Sequence, residues 1–274
     1  MDKDSPKTLF HYTKLKNLTS IIRKNSHDEA ELVFWLTNFK QLDDISEGGY
    51  IRKMLTKADS RFSFTSLPDM YVLSLCKKPD CLPMWKEYAD DVRGIVLALN
   101  SEILLQSKYR SLQTLYPCQY NEKTNFEFIR QVVNNINQYI GSKDWENHLF
   151  QISHYAKEHP DFLKDKRTIL ASKYSAFSKE FAPILAFKDK HYFYEKEYRL
   201  IYDNYTPSLL NYRVKDNRRM IEYWEFHVSI DALEGIYVGS NNNKSTIDVI
   251  KKYIANLALK KNVFVEDICI PYRT

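Results

Sequence analysis

Two short apolar runs constrain this 274-residue chain more than any other feature: MYVLSLC at 70–76 and IVLALN at 95–100. Neither approaches the roughly 18 apolar residues of a membrane-crossing helix. Their near-continuous apolar character reads as buried strands. TLFHYT at 8–13 and LVFWLT at 32–37 read as further strands. So do LYPCQY, YEKEYRLIY, EYWEFHVS, GIYVGS and the closing VFVEDICIP. Apolar residues recur at helical spacing in KLKNLTSIIRKN and in STIDVIKKYIANLALKK at 245–261. NFKQLDDISEGGY reads as a polar loop, closed by Gly48 and Gly49. Between about 125 and 180, positions such as Phe128, Ile129, Val132, Val133 and Ile136 repeat at helical spacing, which predicts an inserted helical layer. The expected fold is α+β: a mixed, largely antiparallel sheet with flanking helices and that insert, in one domain spanning 1–274.

Composition narrows the function. Glycine occurs 6 times, and no P-loop or GxGxxG is present, which argues against a glycine-built nucleotide loop. The net charge of +5 permits an anionic partner without demanding one. Cys76 and Cys81 form a C-x4-C pair with no second pair at zinc-site spacing, so the cysteines read as reduced thiols. The N-terminal MDKDSPKTLF has no apolar core, so neither a signal peptide nor a membrane segment is expected, and the expected location is the cytoplasm. No zinc-deaminase signature, HExxH or G-x-S-x-G elbow is found.

Four segments carry polar chemistry. In LFHYT, His11 ends a strand beside Tyr12 and Thr13, where it either caps the chain or hydrogen-bonds a ligand. DDISE offers Asp43, Asp44 and Glu47 to a cation or to its own backbone. In MWKEYADDVRG, Trp85 and Tyr88 share a helix face and either pack in the core or stack on a flat ring. In YFYEKEYRLI, strand alternation puts Glu195, Glu197 and Arg199 on one side. That side is either solvent-exposed or the floor of a cleft, since bare burial of two carboxylates is costly.

Taken in order, LFHYTKLKNLTSII, VFWLTN, DDISE, MWKEYADDVRGIVLAL, YEKEYRLIY and GIYVGS resemble DUF2971, an uncharacterised bacterial family, over residues 9 to about 240. DDISE departs from the family's N-D-P-F-E loop by lacking its asparagine, proline and phenylalanine. More distantly, the layout resembles the ADP-ribosyltransferase superfamily. That resemblance implies an NAD-using transferase or glycohydrolase, as found in bacterial defence or toxin settings. His11, with Tyr12 and Thr13, would hold a ribose. Trp85 or Tyr88 would stack on nicotinamide. Glu197 would be catalytic, and Glu195 and Arg199 would position the target or a phosphate. The acceptor would be a protein or a nucleic acid. Two other classes fit the same residues: a nucleotide-binding sensor without turnover, and a metal-dependent nuclease that uses the acidic loop with Glu195 and Glu197.

Overall fold

The computed structural model describes residues 6–42, 45–60, 70–106, 113–140, 181–203, 210–215, 219–242, 244–268 and 270. The first half holds β1 (Thr8–Thr13), α1 (Leu18–Ile21), β2 (Ile22–Lys24), β3 (Ala30–Asn38), α2 (Ile45–Ala58), β4 (Met70–Cys76), α3 (Leu82–Tyr88), β5 (Ile95–Asn100), α4 (Ser101–Leu105), β6 (Gln113–Pro117) and α5 (Glu122–Ile140). The second half holds β7 (Glu197–Asp203), β8 (Asn211–Lys215), β9 (Arg219–Ser229), β10 (Leu233–Gly239), α6 (Lys244–Asn256) and β11 (Phe264–Ile268). The fold is α+β. Among the described strands only β10 and β11 pair in parallel; the other pairs are antiparallel.

The sheet forks at β4. One edge of β4 pairs with β7 along its whole length, from Met70↔Asp203 to Cys76↔Glu197. The other edge is shared. β3 takes its start, at Asn38↔Tyr71 and Thr37↔Val72, and β1 meets only its end, at Phe10↔Cys76. Between them, no described strand pairs with Leu73 or Ser74 on that edge. From the fork one arm runs through β1, β5, β10 and β11, and the other through β3, β9 and β8.

Strand alternation sorts the cores. Leu9, Leu97, Leu99 and Ile236 of the first arm join Leu32, Phe34, Leu36 and Phe226 of the second in one buried cluster. The opposite faces of β4 and β7 place Met70, Val72 and Ile201 against Ile51, Met54 and Leu55 of α2 and Ile129, Val132 and Val133 of α5. α3 packs Met84 and Trp85 on Tyr12 and Val96. Each fully buried side chain of this kind contributes about 1.5–3 kcal/mol.

Three expectations change. The KLKNLTSIIRKN helix stops at Ile21, because Ile22 pairs with Leu32 and is wholly buried as a strand residue. The DDISEGG loop becomes helix from Ile45 on. Packing of Ile51, Met54 and Leu55 outweighs the ~1 kcal/mol that each helical glycine costs. Asp43 and Asp44 lie outside the described residues. The strand expected from 192 begins only at Glu197; Lys190–Glu195 is 3-10 helix and Lys196 is left-handed at φ 47°. The predicted insert is helical as α5, which starts at Glu122, and residues 141–180 lie outside the described set.

The turn after α3 is conformationally unusual. Asp90, Asp91 and Val92 have φ of 51°, 54° and 64°. Such values cost non-glycine residues on the order of 1 kcal/mol or more each. The chain after β10 clamps the turn. Asn241 Nδ2 donates to the Asp91 carbonyl at 3.1 Å, Asn242 Nδ2 to the Arg93 carbonyl at 2.9 Å, and the Gly239 amide to the Gly94 carbonyl at 3.0 Å. A Cβ on Gly239 would lie 2.1 Å from the Val92 carbonyl oxygen. Gly239→Ala is therefore expected to destabilise the fold by about 2–3 kcal/mol, read as a lower urea midpoint.

Candidate functional site

The carboxylates of the E-x-E segment are buried. Lys188, Glu195, Glu197 and Arg199 have side-chain exposures of 2%, 1%, 3% and 1%. Two cations and two carboxylates make the cluster formally neutral, which is what burial of charge requires. Lys188 Nζ donates to Glu195 Oε2, and to Glu197 Oε2 at 2.7 Å. Arg199 Nε donates to Glu197 Oε1 at 3.0 Å, its Nη2 to Glu197 Oε2 at 3.3 Å, and its Nη1 to the Leu185 carbonyl at 2.6 Å. Burial alone would raise the Glu197 carboxyl. The Arg199 guanidinium and the Lys188 ammonium outweigh it and hold the group down at about 2.

The local backbone explains how Glu195 joins Glu197. A regular strand would carry both on one face by alternation. Here Glu195 ends a 3-10 turn, and left-handed Lys196 swings the chain into β7, bringing both carboxylates onto Lys188. In β7, Glu197 lies opposite Cys76 and Arg199 opposite Ser74.

A cavity of about 270 Å³ opens at the fork, with this cluster in its wall. Its lining comes from both arms and both faces of β4: His11 and Thr13 on β1, Trp35 and Thr37 on β3, Leu73 and Ser74 on β4. The His11 ring does what a ladder strand would do there. Its Nδ1 lies 3.2 Å from the Ser74 carbonyl. A carbonyl only accepts, so Nδ1 carries the proton and Nε2 is left as an acceptor. Burial lowers the His11 pKa, against the raising effect of the Ser74 carbonyl, so the neutral ring prevails at pH 7. Thr13 Oγ1 accepts from Asn17 Nδ2 at 2.9 Å, which fixes the α1 entry to the cavity rim. The Tyr88 hydroxyl makes no hydrogen bond among the described residues, and burial raises its pKa, so it stays a neutral phenol. The Trp35 Nε1 is a buried donor with no partner among the described residues. The Arg213 guanidinium lies 4.8 Å from the Trp35 ring centre.

Seven residues singled out in the sequence line this one cavity: His11, Tyr12, Thr13, Tyr88, Glu195, Glu197 and Arg199. Trp85 does not. It is wholly buried, its indole N–H donates to the Pro79 carbonyl at 2.7 Å, and it meets Tyr12 edge-on. Tyr12 spends its hydroxyl on the backbone, donating to the Lys78 carbonyl at 2.8 Å. The solvent-exposed alternative for the E-x-E face is overturned by the burial of all three side chains. Glu47 falls in α2 rather than in a loop. Sequence reasoning missed Lys188, Trp35, Ser74 and Arg213. Ser74 left a signal, as the one small hydroxyl side chain inside MYVLSLC. Lys188 left a weaker one, a cation closing the apolar APILAF run a few residues before two carboxylates.

Fold and site define an α+β protein with a forked sheet and a polar cavity at the fork. The family DUF2971, described as a protein of unknown function, matches residues 84–200, from within α3 through the whole of the buried charge cluster. That match agrees with the resemblance carried by MWKEYADDVRG and YEKEYRL. No curated protein and no solved structure matches the chain.

The charge cluster sets a pH dependence. Glu197 sits below its unfolded-state value near 4.5, so its stabilisation is complete above that value and is lost as pH falls toward about 2. The wild-type urea midpoint is expected to drop steadily from pH 5 to pH 3. Glu197→Gln is expected to be about 3 kcal/mol less stable at pH 7 and flatter across that window.

Proposed function

We propose that the chain is an ADP-ribosyltransferase-like enzyme that takes the nicotinamide riboside end of NAD into the cavity at the fork. One observation carries the reading: groups from β1, α3 and β7, far apart in sequence, meet around a single cavity as hydroxyl acceptor, aromatic ring and carboxylate. The donor set fits such a ligand. His11 Nε2 would accept from a ribose hydroxyl. The Tyr88 ring would lie beside the nicotinamide, and its unengaged hydroxyl and the Trp35 N–H would serve carboxamide or hydroxyl oxygens. NAD supplies a glycosidic bond whose cleavage releases nicotinamide and leaves positive charge on the sugar. Glu197, held ionised, would stabilise that charge. Arg199 acts as a positioning residue for Glu197, since its guanidinium donates to both oxygens of that carboxylate and to the Leu185 carbonyl.

A second reading, nucleotide binding without turnover, is favoured by the occupation of both Glu197 oxygens by cations. Those ion pairs also weigh against a nuclease, whose metal would have to displace Lys188 and Arg199. Among the described residues no cluster of three or more His, Cys, Asp or Glu side chains could hold a metal.

The test is nicotinamide release from NAD, with and without cell lysate, alongside equilibrium NAD binding. Wild type is expected to release nicotinamide. Glu197→Gln and His11→Ala should each slow release by about 100-fold or more, with Glu197→Gln keeping its affinity for NAD. Because Glu197→Gln also strains the fold, it is to be compared at a temperature where both proteins are folded. Binding without release by wild type would establish the sensor reading, and absence of binding would remove NAD altogether. A neutral His11 acceptor further predicts that NAD affinity stays level from pH 8 to 6.5 and weakens only below that, as pH falls through the lowered His11 pKa.

A further inference from the structure

Glu197 lines a second space besides the cavity. This is an open groove of about 1030 Å³. The loop after β4, the β6–α5 connection and the 3-10 turn before β7 form its walls. Four lysines stand along it: Lys77, Lys123, Lys190 and Lys196. Lys77, Lys123 and Lys190 are exposed and Lys196 is half-buried. Against them the groove sets the exposed carboxylate of Glu122. The charge of Glu197 is already matched inside the protein by Lys188 and Arg199. His191, also in the groove, is paired with Asp189 at 2.5 Å.

The groove also holds aromatic surface. Phe193 is 56% exposed, although a phenylalanine on a strand approach would ordinarily be buried. It meets Tyr120 edge-on, with ring centres 5.6 Å apart, and the Lys196 ammonium sits 2.9 Å from its ring centre. One exposed aromatic ring among four ammonium groups matches the two needs of an unpaired polynucleotide. Its phosphates take the cations, and its bases stack on the ring. A duplex satisfies only the first, because its bases are already stacked. An acidic peptide likewise uses the lysines and leaves Phe193 uncovered.

We infer that this groove binds single-stranded nucleic acid, with the face of Phe193 opposite Lys196 as the stacking platform and Lys77, Lys123 and Lys190 as the principal phosphate contacts. The inference does not depend on NAD binding. The two sites meet at Glu197, so a strand in the groove would lie against the wall of the cavity.

Fluorescence anisotropy with a labelled oligouridylate dodecamer, without NAD, tests it. Three to four phosphate contacts predict a slope of log affinity against log salt between roughly −2 and −3. Phe193→Ala should weaken binding about tenfold or more. The double change Lys123→Glu with Lys190→Glu should weaken it further and flatten the slope by about 1 or more. Phe193, Lys123 and Lys190 are exposed, so unfolding midpoints should move only slightly, Phe193→Ala losing no more than its contacts with Tyr120 and Lys196, and this separates lost binding from lost fold. The inference is overturned by absence of binding at about 50 mM salt, by equal affinity for a duplex of the same length, or by wild-type affinity in Phe193→Ala. Equal competition by a polyglutamate peptide would overturn it in favour of an acidic protein partner.

Discussion

Four charges hold the wall of the cavity in place. Moving Lys188, Glu195, Glu197 and Arg199 out of water costs several kcal/mol for each ion, and their mutual attraction offsets that only because the set is neutral and closely hydrogen-bonded. The cluster is therefore weak evidence for stability and strong evidence for position. It fastens β7, the 3-10 turn before it and the segment ending at Lys188 to one point. Every other feature of the cavity wall is placed relative to that point. Apolar residues of the same volume would hold the fold as well; they would not present a carboxylate to the cavity.

The fork is the second constraint. A backbone carbonyl on an unpaired stretch of strand needs a partner. At Ser74 that partner is an imidazole rather than another strand. One hydrogen bond thus satisfies the sheet and also sets which nitrogen of His11 is left free to accept. The sequence places a histidine near the end of an apolar strand, and the sheet topology gives it its tautomer.

Much of the site was legible as residue types and little as geometry. His11, Tyr88, Glu197 and Arg199 stand out because each is a polar or aromatic group in a segment whose neighbours are core. Trp85 misled because helical spacing puts it on the same face as Tyr88, while tertiary packing buries it one turn deeper, against Tyr12. The pairing of Lys188 with two carboxylates was not legible beyond a cation closing an apolar run, because it depends on the left-handed residue at 196, and a lysine there gives no sign of it. The E-x-E motif suggested the right grouping through the wrong backbone, since a regular strand and a 3-10 turn followed by a reversed residue both deliver two carboxylates to one side. The strands were the easiest part, because short apolar runs admit few alternatives. α2 was the hardest, because its two glycines imitate a loop.

The fork has a mechanical meaning as well. A continuous sheet resists bending because each strand is braced on both sides. Here the two arms share one strand of the sheet, β4, and are tied again where β9 runs through Ile230–Ala232 into β10, so the angle between them is set by that connection, by the core they enclose and by what lies in the gap. His11 and Thr13 belong to one arm, Trp35 and Arg213 to the other. A molecule seated between them would act as a keystone, converting a hinge into a brace. Part of its binding free energy would go into stiffening the whole sheet, out to strands it never touches.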